Sequence, residues 1–268
     1  MPCLLLFTSL LSLAQFDPTR GPELRSSAII EMRIILQDPL SLADSLRHEI
    51  EHAFQRADLP RLRAARALLE RGVTRWPEAG LLLHYLGYAL YREALLVERE
   101  VGPGDILGLL ERAEGILEES LALEPIPETR ALISAVIGQR IRGSRLRGIR
   151  FGPKADEWLE LARAEAPENP RVWLIGGIGS IFRPRLFGGG LERAEAEIRR
   201  AIELFETDDP SAPLPRWGEG EAWFWLGQIL RHEGRVEEAR AAFQRALDLE
   251  PEDYWAGRAL NASIPERE

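Results

Sequence analysis

The residues with the clearest potential for chemistry lie at His48-Glu49-Ile50-Glu51-His52. Histidines four positions apart lie on one face of a helix, where both imidazoles can bind one Zn²⁺ ion while Glu49 acts as a general base. Such a site needs a third protein ligand, for which Glu70 and Glu78 are candidates that no pattern marks. His48 and His52 therefore indicate zinc-dependent hydrolysis only together with a ligand from elsewhere in the chain.

The surroundings of this motif argue against a metal centre. The metzincin form of the motif continues with a glycine where Gln55 stands here. The chain before the motif is too short for the sheet that supports it in zinc hydrolases, and His52 falls on a predicted core-lining position of a helix. No Ser-His-Asp set can be assembled either. We therefore predict a non-enzymatic chain with no metal or other cofactor, and zinc hydrolysis is the remaining alternative.

A basic cluster stands out in this acidic chain. Its arginines crowd one short stretch, with Lys154 close behind, and they are Arg140, Arg142, Arg145, Arg147 and Arg150. Guanidinium groups bind carboxylates and phosphates, so one interpretation is an anion-binding patch. The alternative is a solvated hinge whose arginines pair with nearby glutamates.

A glycine-rich segment, Phe187-Gly-Gly-Gly-Leu191, follows Arg183-Pro-Arg185. Backbone N–H groups of such a loop at the start of a helix can hold a phosphate. However, no lysine-serine pair of a phosphate-binding loop follows, and Gly176-Gly-Ile-Gly179 completes no dinucleotide-binding pattern. We therefore favour a turn between two helices, in which glycine supplies the left-handed backbone conformation.

The sequence predicts that helices position all these residues. The helices recur as a repeated sequence unit, which is clearest at residues 220–251. The repeat positions there are occupied by Trp223, Leu226, Gly227, Leu230, Gly234, Ala239, Phe243, Ala246 and Pro251. This segment resembles the tetratricopeptide repeat, in which a helix A and a helix B form a hairpin. Gly227 and Ala239 are small, so the two helices can approach closely. Gly234 can take the positive φ of a helix end, and Pro251 stops helix B.

The same template, moved back along the chain, predicts four earlier and less regular units. The predicted array covers residues 46–79, 80–127, 131–168, 169–208 and 220–253, and a capping helix follows at 254–260. Residues 15–45 form an amino-terminal extension and 261–268 a tail. The resemblance implies an all-α solenoid of helical hairpins in a right-handed superhelix. The turn at 184–189, which leads into an alanine-rich helix, also resembles a group of exported bacterial repeat proteins, some of which accompany solute transporters.

An apolar run at residues 3–14 precedes the array. It is too short to span a bilayer, and Ser12-Leu13-Ala14 supplies the small residues that a signal peptidase reads, although no Lys or Arg precedes the run. We expect a signal peptide cleaved after Ala14 and a periplasmic or secreted protein. A tethering helix or a cytoplasmic protein with a misassigned start is the alternative.

Composition narrows the kind of partner. Asp and Glu total 43 against 34 Lys and Arg, which gives a formal charge of −9 and disfavours nucleic acid as a partner. Cys3 is the single cysteine, so an intramolecular disulfide is excluded. No later run is apolar enough to span a membrane.

The predicted function is a non-enzymatic scaffold that binds a protein or peptide. Helix A side chains line the concave face of a solenoid, where such proteins usually bind. The template places on that face His84, Tyr88, Tyr91, Gln139, Arg142, Trp173, Phe224, Gln228 and Arg231. Aromatic and arginine side chains dominate binding hot spots, and this set suits a peptide bearing a carboxylate. The alternative is a transporter-associated protein that binds a small anion through the arginine cluster.

Overall fold

The structure is a computed structural model that describes residues 38–99, 101–141 and 144–262, without the side chain of Arg145. The predicted signal peptide, residues 15–37 of the predicted extension, and residues 263–268 of the tail lie outside this range. The described residues form eleven α-helices and no strand. The helices are α1 Pro39–Gln55, α2 Leu59–Arg75, α3 Gly80–Glu98, α4 Ile106–Leu123, α5 Pro127–Ile141, α6 Arg145–Glu165, α7 Pro170–Phe182, α8 Leu191–Phe205, α9 Glu219–His232, α10 Val236–Leu249 and α11 Tyr254–Ala262.

Consecutive helices pack in pairs, and each pair packs on the next. The five hairpins are α1–α2, α3–α4, α5–α6, α7–α8 and α9–α10, and α11 covers the last pair. Helices α1, α3, α5, α7 and α9 are the A helices and therefore line the concave face. The predicted fold class, an all-α solenoid of helical hairpins with a carboxy-terminal capping helix, is confirmed.

Polar side chains at the helix starts define where several of these helices begin. Asp58 accepts a hydrogen bond from the backbone N–H of Arg61 (3.0 Å), and Asp105 accepts one from that of Gly108 (3.1 Å). Asn169 caps α7 in the same way, and Pro170 then occupies its first turn. These contacts satisfy N–H groups that have no partner inside the helix.

The predicted close contact between helices A and B holds in the second and fifth hairpins. A Cβ atom added to Gly87 would lie 2.5 Å from Leu117 Cγ, and one added to Gly227 would lie 2.5 Å from Phe243 Cε1. Both glycines therefore permit an approach that a side chain would prevent.

The predicted register is wrong in the third and fourth hairpins. A Cβ atom added to Gly138 would meet nothing within 4 Å, so Gly138 is not the contact residue of its hairpin. In the fourth hairpin the residue against helix B is Gly177, whose added Cβ would lie 2.5 Å from Ile198 Cγ1. Gly177 is the eighth residue of α7, as Gly87 is of α3, and the eighth residue of α5 is the buried Ser134. In α7 neighbouring glycines gave the template several equivalent matches, and in α5 the single glycine was matched in place of Ser134.

The first hairpin also differs from its predicted boundary. Helix α1 begins at Pro39, before the predicted start at residue 46, and its first turns bury Leu42 and Ala43. The repeat template has no position for these additional turns, and for this reason the prediction placed them in the extension.

Candidate functional site

The concave face already carries a polypeptide segment, because residues 207–218 between α8 and α9 lie across it. We call these residues the groove segment. Tyr85 Oη donates a hydrogen bond to the carbonyl oxygen of Pro213 (2.5 Å), and Arg47 Nη1 donates one to that of Leu214 (2.8 Å). The indole of Trp217 stacks on the ring of Tyr88 with a centroid distance of 5.1 Å. Helices α1 and α3 thus hold an irregular segment by two backbone carbonyls and one aromatic ring.

A buried ionic network ties the first two hairpins to the fifth. Arg92 is only 2% exposed and donates to both carboxylate oxygens of Glu221 (2.7 and 3.2 Å). Its Nε also donates to Tyr88 Oη (2.8 Å), and Tyr88 donates to Glu51. The guanidinium lies 4.1 Å from the ring centroid of Phe54. These residues come from α1, α3 and α9, so the network brings both ends of the array together.

The electrostatics of this network follow from burial and from Arg92. Burial raises the pKa of the Glu51 carboxyl, and the attraction of Arg92 offsets only part of that effect. Burial would also raise the pKa of Glu221, but the Arg92 charge and its hydrogen bonds outweigh it and lower that pKa. Arg92 and Glu221 are therefore an ionised pair in the interior.

A cavity of about 590 Å³ lies beside the groove segment, between α1 and helices α9 to α11. This volume is in the range of ligand-binding cavities. The acidic side chains that line it are Glu49, Glu51, Asp208, Glu219, Glu221, Glu250 and Asp253, and the arginines are Arg99, Arg171 and Arg216. Its aromatic side chains are Phe54, Phe205, Trp217, Phe224 and Trp255. The lining is thus predominantly acidic and aromatic.

Some carboxylates of the cavity are paired with arginine, whereas for others burial is the main influence on the pKa. Arg171 Nη2 donates to Asp208 (2.6 Å), and Arg61 donates to Glu49. Burial raises the pKa of Glu250 and that of Asp253, and the charge of Asp253 raises the pKa of Glu250 further. A cation bound beside them would relieve this unfavourable environment.

A smaller cavity of about 210 Å³ is lined by residues of α3, α5, α7 and α9. It contains the predicted groove residues Tyr91 and Gln139, and Gln139 donates a hydrogen bond to Glu98. Burial raises the pKa of Tyr91 to about 12. Ile178 and Trp225 also line it and were missed by the sequence analysis. Counting from Gly177 as the contact residue would have placed Ile178 on the groove.

Two of the predicted partner-contacting residues are buried, so neither can contact a partner directly in this structure. His84 is fully buried and shares a hydrogen bond with Thr129 Oγ1 through Nδ1 (2.9 Å), and burial lowers its pKa to about 3. Tyr88 is covered by Trp217 of the groove segment. The chain itself therefore occupies the space beside the Tyr88 ring.

The predicted placement of Trp173 on the concave face is wrong. The other predicted residues differ from one another in their surroundings. Trp173 donates to the carbonyl oxygen of Pro167 (2.7 Å) and lies beneath the guanidinium of Arg163, so it packs against the end of α6. Phe224 does line the large cavity. Arg231 is exposed and donates to Gln228 (2.6 Å). Arg142 lies outside the described residues.

The HEIEH motif lies at the rim of the large cavity but is organised by ion pairs. Glu49 is held by two hydrogen bonds from Arg61, which lower the pKa of its carboxyl. His52 is partly exposed, 3.6 Å from Glu252 through Nε2, so its predicted core-lining position is wrong. Within the described ranges, no three His, Cys, Asp or Glu side chains are grouped so that they could hold a metal ion.

The glycine-rich turn uses its own N–H groups internally. The backbone N–H of Gly189 donates to Pro184 and that of Gly190 to Ser180 (2.9 Å). Gly188 has a φ of +78° and Gly190 a φ of +119°, the conformations for which the turn interpretation requires glycine. These N–H groups are not available to a phosphate, and the phosphate-binding alternative is wrong for this conformation.

The arginine cluster separates into paired and unpaired members. Arg140 pairs with Glu111 and Glu114, and Lys154 bridges Glu114 (2.8 Å) and Glu118 (3.0 Å). Arg140 therefore matches the hinge alternative, in which arginines pair with glutamates. The predicted anion patch at Arg140, Arg145, Arg147 and Arg150 remains a prediction for Arg147 and Arg150.

Comparisons with known proteins agree with this architecture. Residues 220–253 match the family model of the tetratricopeptide repeat. No curated protein matches the chain. Among solved structures, a thermophilic tetratricopeptide-repeat protein of Thermus thermophilus, TTC0263, is 23% identical with a TM-score of 0.57, and the match covers 84% of this chain and 96% of that one. Residues 220–253 thus form a tetratricopeptide repeat, and the described helices share the fold of that solved structure.

Two further structures share the fold. The HusA haemophore of Porphyromonas gingivalis is 19% identical with a TM-score of 0.50, and 80% of this chain matches 96% of that one. The Cut9–Hcn1 hetero-tetramer of the APC/C is 16% identical with a TM-score of 0.51, and 93% of this chain matches 44% of that one. At these identities the likeness concerns the fold alone. None of the helices described here is both long and apolar enough to cross a membrane.

Proposed function

We propose that the chain is a non-enzymatic scaffold of the cell envelope that binds an extended segment of a partner protein in the large cavity. The observation that carries this proposal is the groove segment itself. Helices α1 and α3 hold it through the carbonyl oxygens of Pro213 and Leu214 and through the ring of Trp217. The large cavity lies beside this segment and offers further aromatic and charged side chains to a second extended segment.

The lining of the cavity indicates the chemistry of the partner segment. Phe224 offers a ring, and Glu219, Glu250 and Asp253 offer carboxylates. A Lys or Arg side chain is attracted by both kinds of group. The partner segment therefore carries a cationic side chain, and this differs from the carboxylate that the sequence suggested. The carboxylates of Glu219, Glu250 and Asp253 supply the charge complementarity.

A selection from displayed random peptides tests the proposal without knowledge of the partner. Selected peptides are expected to be enriched in Lys and Arg and to lose at least about tenfold in affinity for Glu219→Lys protein, because the new charge repels the cation. Glu237→Lys is the matched control, since Glu237 is highly exposed on α10 and lines neither cavity. Enriched peptides that bind both variants equally would place the binding site elsewhere, and selection of acidic peptides would contradict the proposed partner.

The cell-envelope part of the proposal is supported by the apolar run at residues 3–14. Amino-terminal sequencing of the protein from its native host is expected to find Gln15 as the first residue. Protein that still begins at Met1 and fractionates with the cytoplasm would contradict the envelope assignment and leave the binding proposal unaffected.

A further inference from the structure

The turns of the third and fourth hairpins form one edge of the solenoid. The first comprises the start of α6, and the second comprises residues 183–190 between α7 and α8. In a solenoid the turns from helix A to helix B of neighbouring hairpins lie on the same edge. An ion pair joins Arg183 of the second turn to Asp156, about three helical turns after the start of α6. We call residues 146–150 and 185–187 the turn edge.

Large apolar side chains project from the turn edge into solvent. Leu186 is 89% exposed, Leu146 80%, Ile149 69% and Phe187 62%. They are the four most exposed large hydrophobic side chains of the described residues. An exposed apolar group of this kind commonly marks a protein or membrane interaction site.

Arginines without carboxylate partners lie among these side chains. Arg147, Arg150 and Arg185 form no ion pair with any carboxylate of the described residues, and Arg150 lies 5.1 Å from the ring of Phe151. Neighbouring cations differ, because Arg140 and Arg183 are each paired with a carboxylate. The nearest acidic residue on α6, Asp156, is the partner of Arg183. The turn edge therefore presents positive charge on a chain whose formal charge is −9.

We propose that the turn edge docks on the surface of an anionic lipid bilayer. Leu146, Ile149, Leu186 and Phe187 enter the boundary between headgroups and acyl chains, and the three arginines bind lipid phosphates. The apolar side chains stand on two separate turns, so a protein partner would need a preformed pocket for each, whereas a fluid bilayer accommodates them individually. The acidic remainder of the chain is repelled by the same surface, and this orients the protein with its turn edge toward the lipid.

Co-flotation with vesicles tests this proposal. The protein is expected to float with vesicles that contain phosphatidylglycerol and not with vesicles of phosphatidylcholine alone. Leu186→Ser with Phe187→Ser is expected to lower the bound fraction at least about tenfold, because two side chains no longer insert. Arg147→Glu with Arg150→Glu is expected to abolish the preference for the anionic vesicles.

Matched controls separate docking from a change in fold or in net surface character. Leu123→Ser with Leu161→Ser removes two partly exposed leucines outside the turn edge and is expected to bind as the parent does. Arg245→Glu reverses an exposed charge on α10 and is the control for the Arg147→Glu, Arg150→Glu variant. It is expected to keep the preference for anionic vesicles. Circular dichroism verifies that each variant is folded. The proposal would be overturned if both turn-edge variants floated as the parent does, or if the parent bound neither kind of vesicle. Concentration-dependent self-association through Leu186 and Phe187 would also overturn it.

Discussion

The indole ring of Trp217 and the phenol ring of Tyr88 lie 5.1 Å apart and within 20° of parallel. This stack connects the groove segment to helix α3, although the two residues are far apart in the sequence. The same tyrosine donates to Glu51 and accepts from Arg92. Tyr88 thus contacts both the groove segment and the ionic network that joins the first two hairpins to the fifth. The first two predictions concern these two contacts.

Trp217→Ala is expected to release the groove segment while the helices remain folded. Truncation of a buried tryptophan costs about 3–5 kcal/mol, so local opening and cleavage by trypsin after Arg216 are expected to rise by at least about a hundredfold. Limited proteolysis followed by mass spectrometry measures it. Trp173→Ala is the control, since Trp173 packs against the end of α6 and leaves the groove segment in place. Equal cleavage in both variants would show that the stack does not hold the segment.

Arg92 is expected to be strongly coupled to Glu221. Arg92→Met alone leaves Glu221 and Glu51 buried without their cation and is expected to cost about 3–5 kcal/mol of unfolding free energy. Arg92→Met combined with Glu221→Gln removes part of that uncompensated charge, so the double variant loses less than the sum of the two single losses. Urea denaturation of the four proteins gives the coupling energy. Additive losses would indicate that the pair contributes nothing beyond packing.

Gly227→Leu is expected to destabilise the fifth hairpin. The new side chain would occupy space filled by Phe243, since even a Cβ atom would lie 2.5 Å from it, and overpacking typically costs about 1–3 kcal/mol. Thermal denaturation measures the loss. Gly115→Leu in α4 is the control, because a Cβ atom at Gly115 meets nothing within 4 Å and leucine favours helix. An unchanged melting temperature for Gly227→Leu would contradict the close approach of α9 and α10.

Stability is expected to fall on mild acidification because of His84. Burial lowers the pKa of His84 from its ordinary value of 6.5 to about 3, so between these values the unfolded chain binds a proton that the folded chain does not. Stability from the neutral imidazole is complete above about pH 6.5 and is lost as the pH falls, at most by about 1.4 kcal/mol per pH unit. The raised pKa values of Glu51, Glu250 and Asp253 act in the opposite direction, because those carboxyls bind protons more readily when folded.

Urea denaturation at about pH 7.5 and about pH 5.5 isolates the histidine contribution when wild type is compared with His84→Gln. The carboxyl contributions are common to both proteins and cancel in the comparison. The variant is expected to lose about 1.4 kcal/mol less between the two pH values. His232→Gln, at an exposed histidine, is the control and should keep the wild-type dependence. Identical pH dependence in wild type and His84→Gln would contradict a neutral buried imidazole.

Purified protein is expected to hold no stoichiometric zinc at the HEIEH motif. Glu49 is bound by Arg61 and His52 lies next to Arg56, so a cation there would compete with two guanidinium groups. Metal analysis after equilibration with zinc gives the answer. Zinc that is retained by the parent and lost in His48→Ala would restore the hydrolase alternative.

The sequence by itself determined the helical hairpins. Gly227, Ala239 and Phe243 recur at spacings that specify a close contact between two helices, and this information is local because helical periodicity relates residues a few positions apart. The fold class and the capping helix followed from it. Where several glycines stand together, as at Gly176 and Gly177, local spacing left the register undecided, and only the contact with Ile198 selected Gly177.

The tertiary structure alone decided what the groove contains. The groove segment is bound mainly through the carbonyl oxygens of Pro213 and Leu214. Every residue carries such an oxygen, so no sequence pattern predicts that this segment lies in the groove. The burial of Tyr88 and the pairing of Arg92 with Glu221 depend on contacts between distant hairpins. Such contacts form only when the superhelix brings its two ends together, a geometric property of the whole array that short-range periodicity does not contain.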